Sequence, residues 1–182
     1  MVARVAVLSI LAVYLSVASA PAQAGDPSVE TVRLDTPSGY PVPRFLSLKD
    51  DETNCRIGPS LDHSVRFVLR RAGAPVLVIA ESVDHWRKVR DADGDECWVH
   101  ERTLKAQTHA LIRRDTLLWS KPGPSARKTG RLGPGVLAKL GKHRRGWLFL
   151  SVGGTKGWAE SADVWGGDAL ANGPKKRVER KN

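Results

Sequence analysis

The sequence has no hydrophobic run long enough to cross a membrane as a helix. Its one long apolar run, Val5–Val17, is shorter than the about twenty residues that a transmembrane helix needs. A basic residue precedes this run, and two A-x-A sequences, Ala18–Ala20 and Ala22–Ala24, follow it. Because Pro21 would stand directly after a cut at the first sequence, we expect cleavage at the second. The pattern therefore predicts a secretory signal peptide over residues 1–24, no transmembrane segment, and a periplasmic or secreted protein.

Cysteine is scarce, since the chain has only Cys55 and Cys97. In an exported protein, an even number of cysteines in a small domain usually indicates a disulfide. Such a bridge would close a loop of roughly forty residues and add about 4 kcal/mol of stability in the chain-entropy model. The alternative is a pair of free thiols used for catalysis or metal binding.

Acidic residues are too few to balance the basic ones. The chain has 29 Lys and Arg against 19 Asp and Glu, which gives a net charge of +10. Loss of the signal peptide leaves +9, and the tail after Gly166 accounts for +3 of that (five basic residues, two acidic). A basic protein favours anionic partners. Because export removes nucleic acid from reach, we expect no nucleic-acid partner. The remaining candidate partners are anionic wall polymers and, through a peripheral contact, anionic lipid. A simpler interpretation is that the charged surface only keeps the protein soluble.

Helical periodicity is nearly absent, and a pattern of short strands and turns occurs twice. The first copy contains Gly58-Pro59-Ser60 and later Trp86 and Trp98, and the second contains Gly123-Pro124-Ser125, Trp147 and Trp158. A repeat of about sixty residues built from short strands and Gly/Pro turns predicts two small all-β domains. We expect an extended Pro-rich arm over residues 25–43, a first domain over 44–106, a second over 107–166, and a disordered basic tail over 167–182. The connection near Lys105–Thr108 is short, so the two domains should pack together.

Runs of apolar residues between turn signals define the individual strands. The predicted strands are Phe45–Leu48, Asn54–Arg56, Val65–Leu69, Val76–Glu81, Trp86–Arg90 and Cys97–His100 in the first domain, and Ala110–Ile112, Thr116–Trp119, Thr129–Leu132, Val136–Leu140, Trp147–Val152 and Lys156–Ala159 in the second.

The second repeat has lost both cysteines together. Aligned through the Gly-Pro-Ser turn and the later tryptophan, it has Ser120 and Gly157 at the positions of Cys55 and Cys97. Paired loss is what a disulfide, rather than two independent thiols, would show.

Strand alternation sorts the aromatic residues by face. If Val89 and Leu150 fill the cores, then Trp86 and Trp147 lie on the outer surface or between the two domains. An outward aromatic residue is either a ligand platform or a plug between domains, and the short connection favours the plug.

The residues Asn54–Ser60, followed by Trp86-x-x-Val89 and Trp98-Val99, resemble the bacterial SH3-like (SH3b) domain. The lead-in Gly39–Leu48 resembles exported tandem SH3-like proteins of Gram-negative bacteria. The resemblance implies a small β-barrel of about five strands in each domain and a role in binding or targeting. Members of the family accompany cell-wall hydrolases and contact peptidoglycan or its peptide stems. The resemblance also implies that Cys97, which stands in place of the family's usual glycine, meets Cys55 across adjacent strands. The second domain is degenerate, with Trp119–Pro122 where the motif should begin.

Two groups of residues are candidates for binding. In the first domain, Arg56 with Asn54 could hold a carboxylate, although Asn54 could instead bond the backbone in its turn and Arg56 could pair with Asp50 or Asp51. In the second, the basic loop Lys142–Gly146 stands before a tryptophan and could contact an anion, or could be simply solvated. The candidate binding residues are Asn54, Arg56, Trp86, Arg144, Arg145 and Trp147.

Nothing in the sequence indicates catalysis, a metal or a cofactor. The five histidines lack metal-ligand spacing, and Cys97 and His100 lie three apart on one strand, on opposite faces. The acidic clusters Asp50–Glu52 and Asp91–Glu96 lack the ordered ligand series of a calcium loop. We therefore expect a non-enzymatic exported module that contacts peptidoglycan or an envelope protein. The alternative is a structural or assembly factor that binds anionic lipid or a partner enzyme through the basic loop and tail.

Overall fold

The computed structural model of the chain describes residues 32–167, and this part is built from β-strands and short 3-10 turns without an α-helix. The first unit contains β1 (Arg44–Leu48), β2 (Glu52–Arg56), β3 (Val65–Arg70), β4 (Pro75–Glu81), β5 (Trp86–Arg90), β6 (Glu96–His100) and β7 (Leu104–Ala106). The second contains β8 (His109–Ile112), β9 (Thr116–Trp119), β10 (Lys128–Leu132), β11 (Leu137–Arg144), β12 (Trp147–Val152), β13 (Thr155–Glu160) and β14 (Val164–Trp165).

The two units have the same topology. Each is one seven-stranded antiparallel sheet, in the order β3-β2-β6-β5-β4-β1-β7 and β10-β9-β13-β12-β11-β8-β14. Each sheet has a hydrophobic core of its own. The predicted all-β fold with two tandem units is therefore confirmed, and all twelve predicted strands are present with ends that differ by a few residues. The largest difference is β11, which continues past Leu140 to Arg144.

Two strands were missed, and each unit has seven strands instead of about five. β7 and β14 each follow a 3-10 turn, Glu101–Thr103 or Ser161–Asp163, and close the edge of their sheet against β1 or β8. They are too short to show an alternating pattern of their own. The first of them occupies part of the segment that we expected to be a plain connection.

Alternation places the core side chains as expected. Along β12, Leu148 and Leu150 are fully buried, whereas Trp147 and Phe149 lie on the opposite face and remain half-exposed. In the first unit, Val89 is buried in the core at the corresponding position. The outward faces of the sheets are therefore free to carry other side chains.

The disulfide joins Cys55 on β2 to Cys97 on the neighbouring strand β6, with 5.4 Å between the Cα atoms. Both residues are buried in the core of the first unit. The predicted pairing across adjacent strands is thus present.

The equivalent pair in the second unit is Leu118 with Gly157, so the assignment of Ser120 is wrong. Arg56 pairs with Trp98 in the first sheet, and Trp119 pairs with Trp158 in the second. The residue before Trp119 is Leu118, which is fully buried. A Cβ added to Gly157 would lie 2.8 Å from the Cβ of Leu118. The leucine therefore fills the space of the disulfide, and the glycine leaves room for it.

The N-terminal arm docks on the first unit from residue 32 onward. Arg33 pairs with Val42 in an isolated bridge and donates to the carbonyl of Ile79. Val42 itself is buried in the core, and Ser38 donates to the carboxylate of Glu81 through both its N–H and its hydroxyl. Residues 25–31 of the predicted arm, the predicted signal peptide and the predicted disordered tail beyond residue 167 lie outside the described residues.

The two units pack against each other through an aromatic contact flanked by hydrogen bonds. The ring of Phe45 on β1 meets that of Trp165 on β14 edge-on at 5.0 Å, and the Trp165 indole N–H donates to the carbonyl of Pro75 at 3.3 Å. Gln107 donates to the carbonyl of Gly166 at 2.8 Å. The aromatic plug between the units is therefore Phe45 with Trp165, and not Trp86 or Trp147 as the alternation had favoured. Within residues 32–167, no helix has the length and apolarity to cross a membrane.

Candidate functional site

The clearest concave site in the second unit is a basic groove, which we define by Lys121, Pro122, Arg144, Arg145 and Trp147. Its volume is about 750 Å³. The predicted candidates Arg144, Arg145 and Trp147 are thus brought together. Sequence reasoning missed Lys121 and Pro122, although the departure from the family motif at these positions was a signal that could have found them.

The β11–β12 hairpin forms one wall of the basic groove. Arg144 and Trp147 face each other as a strand pair, and the two residues between them turn the chain with positive φ angles, 42° at Arg145 and 80° at Gly146. Glycine adopts this conformation without strain, whereas arginine does not. The turn leaves both arginine side chains exposed beside the half-buried indole of Trp147.

The loop after β9 forms the other wall. Lys121 and Pro122 follow Trp119 by two and three residues, and Gly123 then turns the chain at a φ of 126°. Proline fixes the backbone beside Lys121, which directs a third exposed cation to the groove.

The electrostatics of the basic groove favour an anion. No acidic residue lines it, and within residues 32–167 no ion pair engages Lys121, Arg144 or Arg145. The nearest acid that strand pairing identifies is the exposed Glu160, opposite Trp147 on β13. Three cations against one carboxylate leave positive charge available for a ligand, and the planar guanidinium of each arginine suits carboxylate or phosphate oxygens.

The other predicted site residues do not join this groove. Trp86 is only 6% exposed, and its ring packs edge-on against His100 at 5.3 Å, so it is not available as a ligand platform. Asn54 and Arg56 lie on β2 of the first unit. Arg56 donates to the carbonyl of His63 at 2.6 Å, so the expected pairing with an aspartate is wrong.

The first unit has a cleft of its own, of about 770 Å³, between the arm and the edge of the sheet. Its two arginines are paired with carboxylates: Glu81 bonds Arg44 and lies 3.3 Å from Arg87, and Arg87 donates to Glu101 at 2.5 Å. The Glu81 side chain is fully buried. Burial raises the pKa of Glu81, but the hydrogen bonds from Arg44 and Ser38 together outweigh it and hold that pKa below its ordinary value. This network fixes the arm and neutralises both arginines, so that Lys105 is the remaining basic side chain of the lining.

The acidic clusters are accounted for by local contacts. The carboxylate of Asp91 accepts from the backbone N–H groups of Asp93 and Asp95 and so closes its own turn. Hydrogen bonds from Lys88 and Arg90 lower the pKa of Glu96. Within the described residues, no three or more of His, Cys, Asp and Glu come together as a metal-binding group.

Comparisons with known proteins agree with this architecture. The sequence matches the bacterial SH3 domain family over residues 49–105 and again over residues 116–166. No curated protein matches the chain.

Solved structures that resemble the chain do so at low identity. NlpC2 from Trichomonas vaginalis is 12% identical with a TM-score of 0.32, over 68% of this chain and 48% of that one. An NlpC/P60 family protein from Bacillus cereus ATCC 10987 is 12% identical with a TM-score of 0.30, over 66% of this chain and 55% of that one. The chain thus spans about half the length of the solved proteins it matches.

Proposed function

Because the chain belongs to the bacterial SH3 domain family in both of its units, we propose that it is a non-enzymatic, exported binding module that contacts peptidoglycan or an envelope protein. The observation that carries this proposal is the basic groove of the second unit, where three exposed cations flank the indole of Trp147. Peptidoglycan carries carboxylates on its peptide stems, and on its glycan wherever a stem has been removed from the lactyl group. A single arginine guanidinium can bind such a carboxylate through two parallel hydrogen bonds.

Two observations support a role outside the cytoplasm. Bacterial SH3 domains typically work in extracellular or wall-associated proteins, and the buried Cys55–Cys97 disulfide fits an oxidising compartment. The predicted signal peptide would deliver the chain there.

The environments of the titratable groups support binding in preference to catalysis. In the described part of the chain, Glu81 and Glu96 have lowered pKa values because arginine or lysine partners stabilise their charged forms. His109 has a lowered pKa because it is partly buried near Lys105, Lys139 and Arg71. Each of these shifts has a structural cause away from the basic groove.

Co-sedimentation of the mature protein with purified peptidoglycan sacculi tests the proposal. We expect the wild type to be retained at low salt and Arg144→Ala/Arg145→Ala to lose retention by about tenfold, because two charge-assisted contacts are removed. The matched control Arg66→Ala/Arg70→Ala removes the same charge from exposed positions of the first unit and should bind like the wild type. Failure of the wild type to bind sacculi, with no envelope protein captured by crosslinking, would overturn the proposal.

A second candidate function is favoured by the exposure of Lys142 together with Arg144 and Arg145 in one hairpin. Such a loop would also attract anionic lipid, as an assembly factor at the membrane surface requires. Flotation with vesicles of phosphatidylglycerol tests it. Binding that the loop substitutions abolish, without retention on sacculi, would favour this candidate.

A further inference from the structure

We propose that the outer face of the second unit is a glycan-binding platform for a chain of sugars that carries carboxylates. Its central element is a row of three rings, Trp119 on β9, Trp158 on β13 and Phe149 on β12, which we call the aromatic strip. The inference rests on the proposed function and names the ligand class for the same region of the molecule.

The strand register places the three rings side by side. Trp158 is paired with Trp119 on one side and with Phe149 on the other. Their chain neighbours Leu118, Leu148, Leu150 and Ala159 are fully buried. Alternation therefore turns all three rings outward, and each remains half-exposed. The rings of Phe149 and Trp158 touch edge-on, with centroids 5.5 Å apart.

The fold does not require this aromatic strip. The same three positions of the first unit are Arg56, Trp98 and Lys88, because Arg56 pairs with Trp98 and Lys88 pairs with Trp98 in the same register. In the first unit, two of these three positions thus carry a basic side chain in place of an aromatic ring, although the sheet is otherwise equivalent. The second unit exposes apolar ring surface that its sister unit does without, and Leu117 on β9 adds a further exposed apolar side chain. Three partly exposed rings beside an exposed leucine form an apolar surface of the kind that marks an interaction site.

Part of the strip has local contacts, which leave its outer surface available. The ammonium of Lys128 lies over the Trp119 ring at 5.7 Å from the centroid. Phe149 covers Gly141, where a Cβ would lie 3.0 Å from the ring. These contacts orient the rings of Trp119 and Phe149 but do not cover the row, since all three residues stay half-exposed.

The geometry of the row suits sugars better than peptide. Neighbouring strands lie about 4.8 Å apart, which is close to the length of one hexose in an extended glycan. A hexose presents a flat face of C–H groups that packs on an aromatic ring, whose face is electron-rich. Side chains on three neighbouring strands at this strand spacing therefore offer successive sugars one aromatic contact each.

The aromatic strip and the basic groove are continuous along the chain. Trp147 of the groove stands two residues before Phe149 on the same face of β12, and Lys121 follows Trp119 by two residues. A glycan lying on the rings would thus bring its acidic substituents close to Lys121, Arg144 and Arg145. Charge complementarity selects a carboxylate-bearing glycan over a neutral one.

The test measures the dissociation constants of the mature full-length protein by calorimetry with three probes. These are glycan strands from amidase-treated sacculi, in which removal of the peptides has freed the lactyl carboxylates; neutral chitotetraose; and free stem peptides. The variant Trp119→Arg/Phe149→Lys installs the residues of the first unit, whose sheet tolerates them, and Trp98→Ala in the first unit is the control. Circular dichroism checks that each variant is folded.

We expect the peptide-free glycan to bind the wild type and the Trp98→Ala control alike, and chitotetraose to bind more weakly. The double variant should bind the glycan at least tenfold more weakly, although it adds two positive charges. Unchanged glycan affinity in the double variant, or binding of the stem peptides without the glycan, would overturn the inference while leaving the proposed function in place. Failure of the wild type to bind sacculi, with no envelope protein captured by crosslinking, would instead overturn the proposed function itself.

Discussion

Removal of the Cys55–Cys97 disulfide should destabilise the first unit severely. The two cysteines are 42 residues apart in sequence, and closing a loop of that size contributes about 4 kcal/mol in the chain-entropy model. A small domain has a free energy of unfolding of about 5–15 kcal/mol in total. Breaking the bridge should therefore remove a large part of the stability of the first unit and leave the second unit almost unaffected.

Urea unfolding of the mature protein, followed by tryptophan fluorescence with and without reductant, measures this effect. We expect one transition under oxidising conditions to separate into two on reduction, with the earlier transition belonging to the first unit. A decrease in its free energy of unfolding of less than about 1 kcal/mol would refute the reasoning, because the bridge would then not constrain the unfolded chain as the loop-closure model requires.

The second unit supplies a matched control for the same experiment. Cys55→Leu/Cys97→Gly transfers the pair that fills this space in the sister sheet, whereas Cys55→Ala/Cys97→Ala leaves part of it empty. Burial of a leucine side chain contributes about 2 kcal/mol, so the leucine-glycine variant should be the more stable of the two. Equal stability would contradict the structural correspondence between the disulfide and the leucine-glycine pair.

Three further predictions concern packing and pH. Glu81→Gln should destabilise the first unit by about 3 kcal/mol at pH 7, because it leaves the buried Arg44 without its carboxylate, although Arg87 keeps Glu101. Since the pKa of Glu81 is lowered, the wild-type advantage should be present above pH 4.5 and vanish as the pH falls further, as denaturation across pH would show. The pKa of His109 is also lowered, first by burial and then by its cationic neighbours, so the stability of the protein should decline as the pH falls below about 6.5. In thermal melts at a series of pH values, His109→Gln should reduce this decline. An unchanged dependence of the melting temperature on pH in the variant would contradict the role of His109. Gly157→Ala should cost about 1–3 kcal/mol by overpacking against Leu118, whereas Gly133→Ala, whose nearest added contact is 4.0 Å away, should unfold like the wild type.

Local sequence patterns were sufficient for most of the fold. Alternation and Gly/Pro turns located twelve strands, because each is long enough to carry its own hydrophobic face. β7 and β14 consist of three and two residues and exist only through pairing with a strand distant in sequence. Such strands depend on tertiary contacts that no local pattern records.

The error over Ser120 has a similar cause. The Gly-Pro-Ser turns of the two repeats are 65 residues apart, but the strands before them correspond at a separation of 63, because Arg56 and Trp119 hold the same register position. The turn residues align the loops, but the segment between strand and turn is two residues longer in the second unit (Trp119 to Gly123) than in the first (Arg56 to Gly58). Only the sheet register reveals which residues share a position.

The candidate site was predicted in part. Period-two alternation correctly turned Trp86 away from the barrel core, but it could not show that His100 covers the ring. Arg144, Arg145 and Trp147 were found because they are contiguous in sequence, whereas Lys121 reaches the same groove from a separate loop. Convergence of distant segments is a property of the folded chain.

The two units have the same topology but are stabilised by different contacts, and this difference affects which side chains their outer faces can carry. The first unit is stabilised by a disulfide and by the buried Arg44–Glu81–Arg87 network, and its outer face carries charged side chains. In the second unit, Leu118 and Gly157 replace the disulfide by apolar packing, so that its stability does not depend on the redox state. The rings on its outer face contribute little to that core, since they point away from it. Their substitution should therefore change stability little, so that weaker glycan binding in such variants would report on recognition and not on folding.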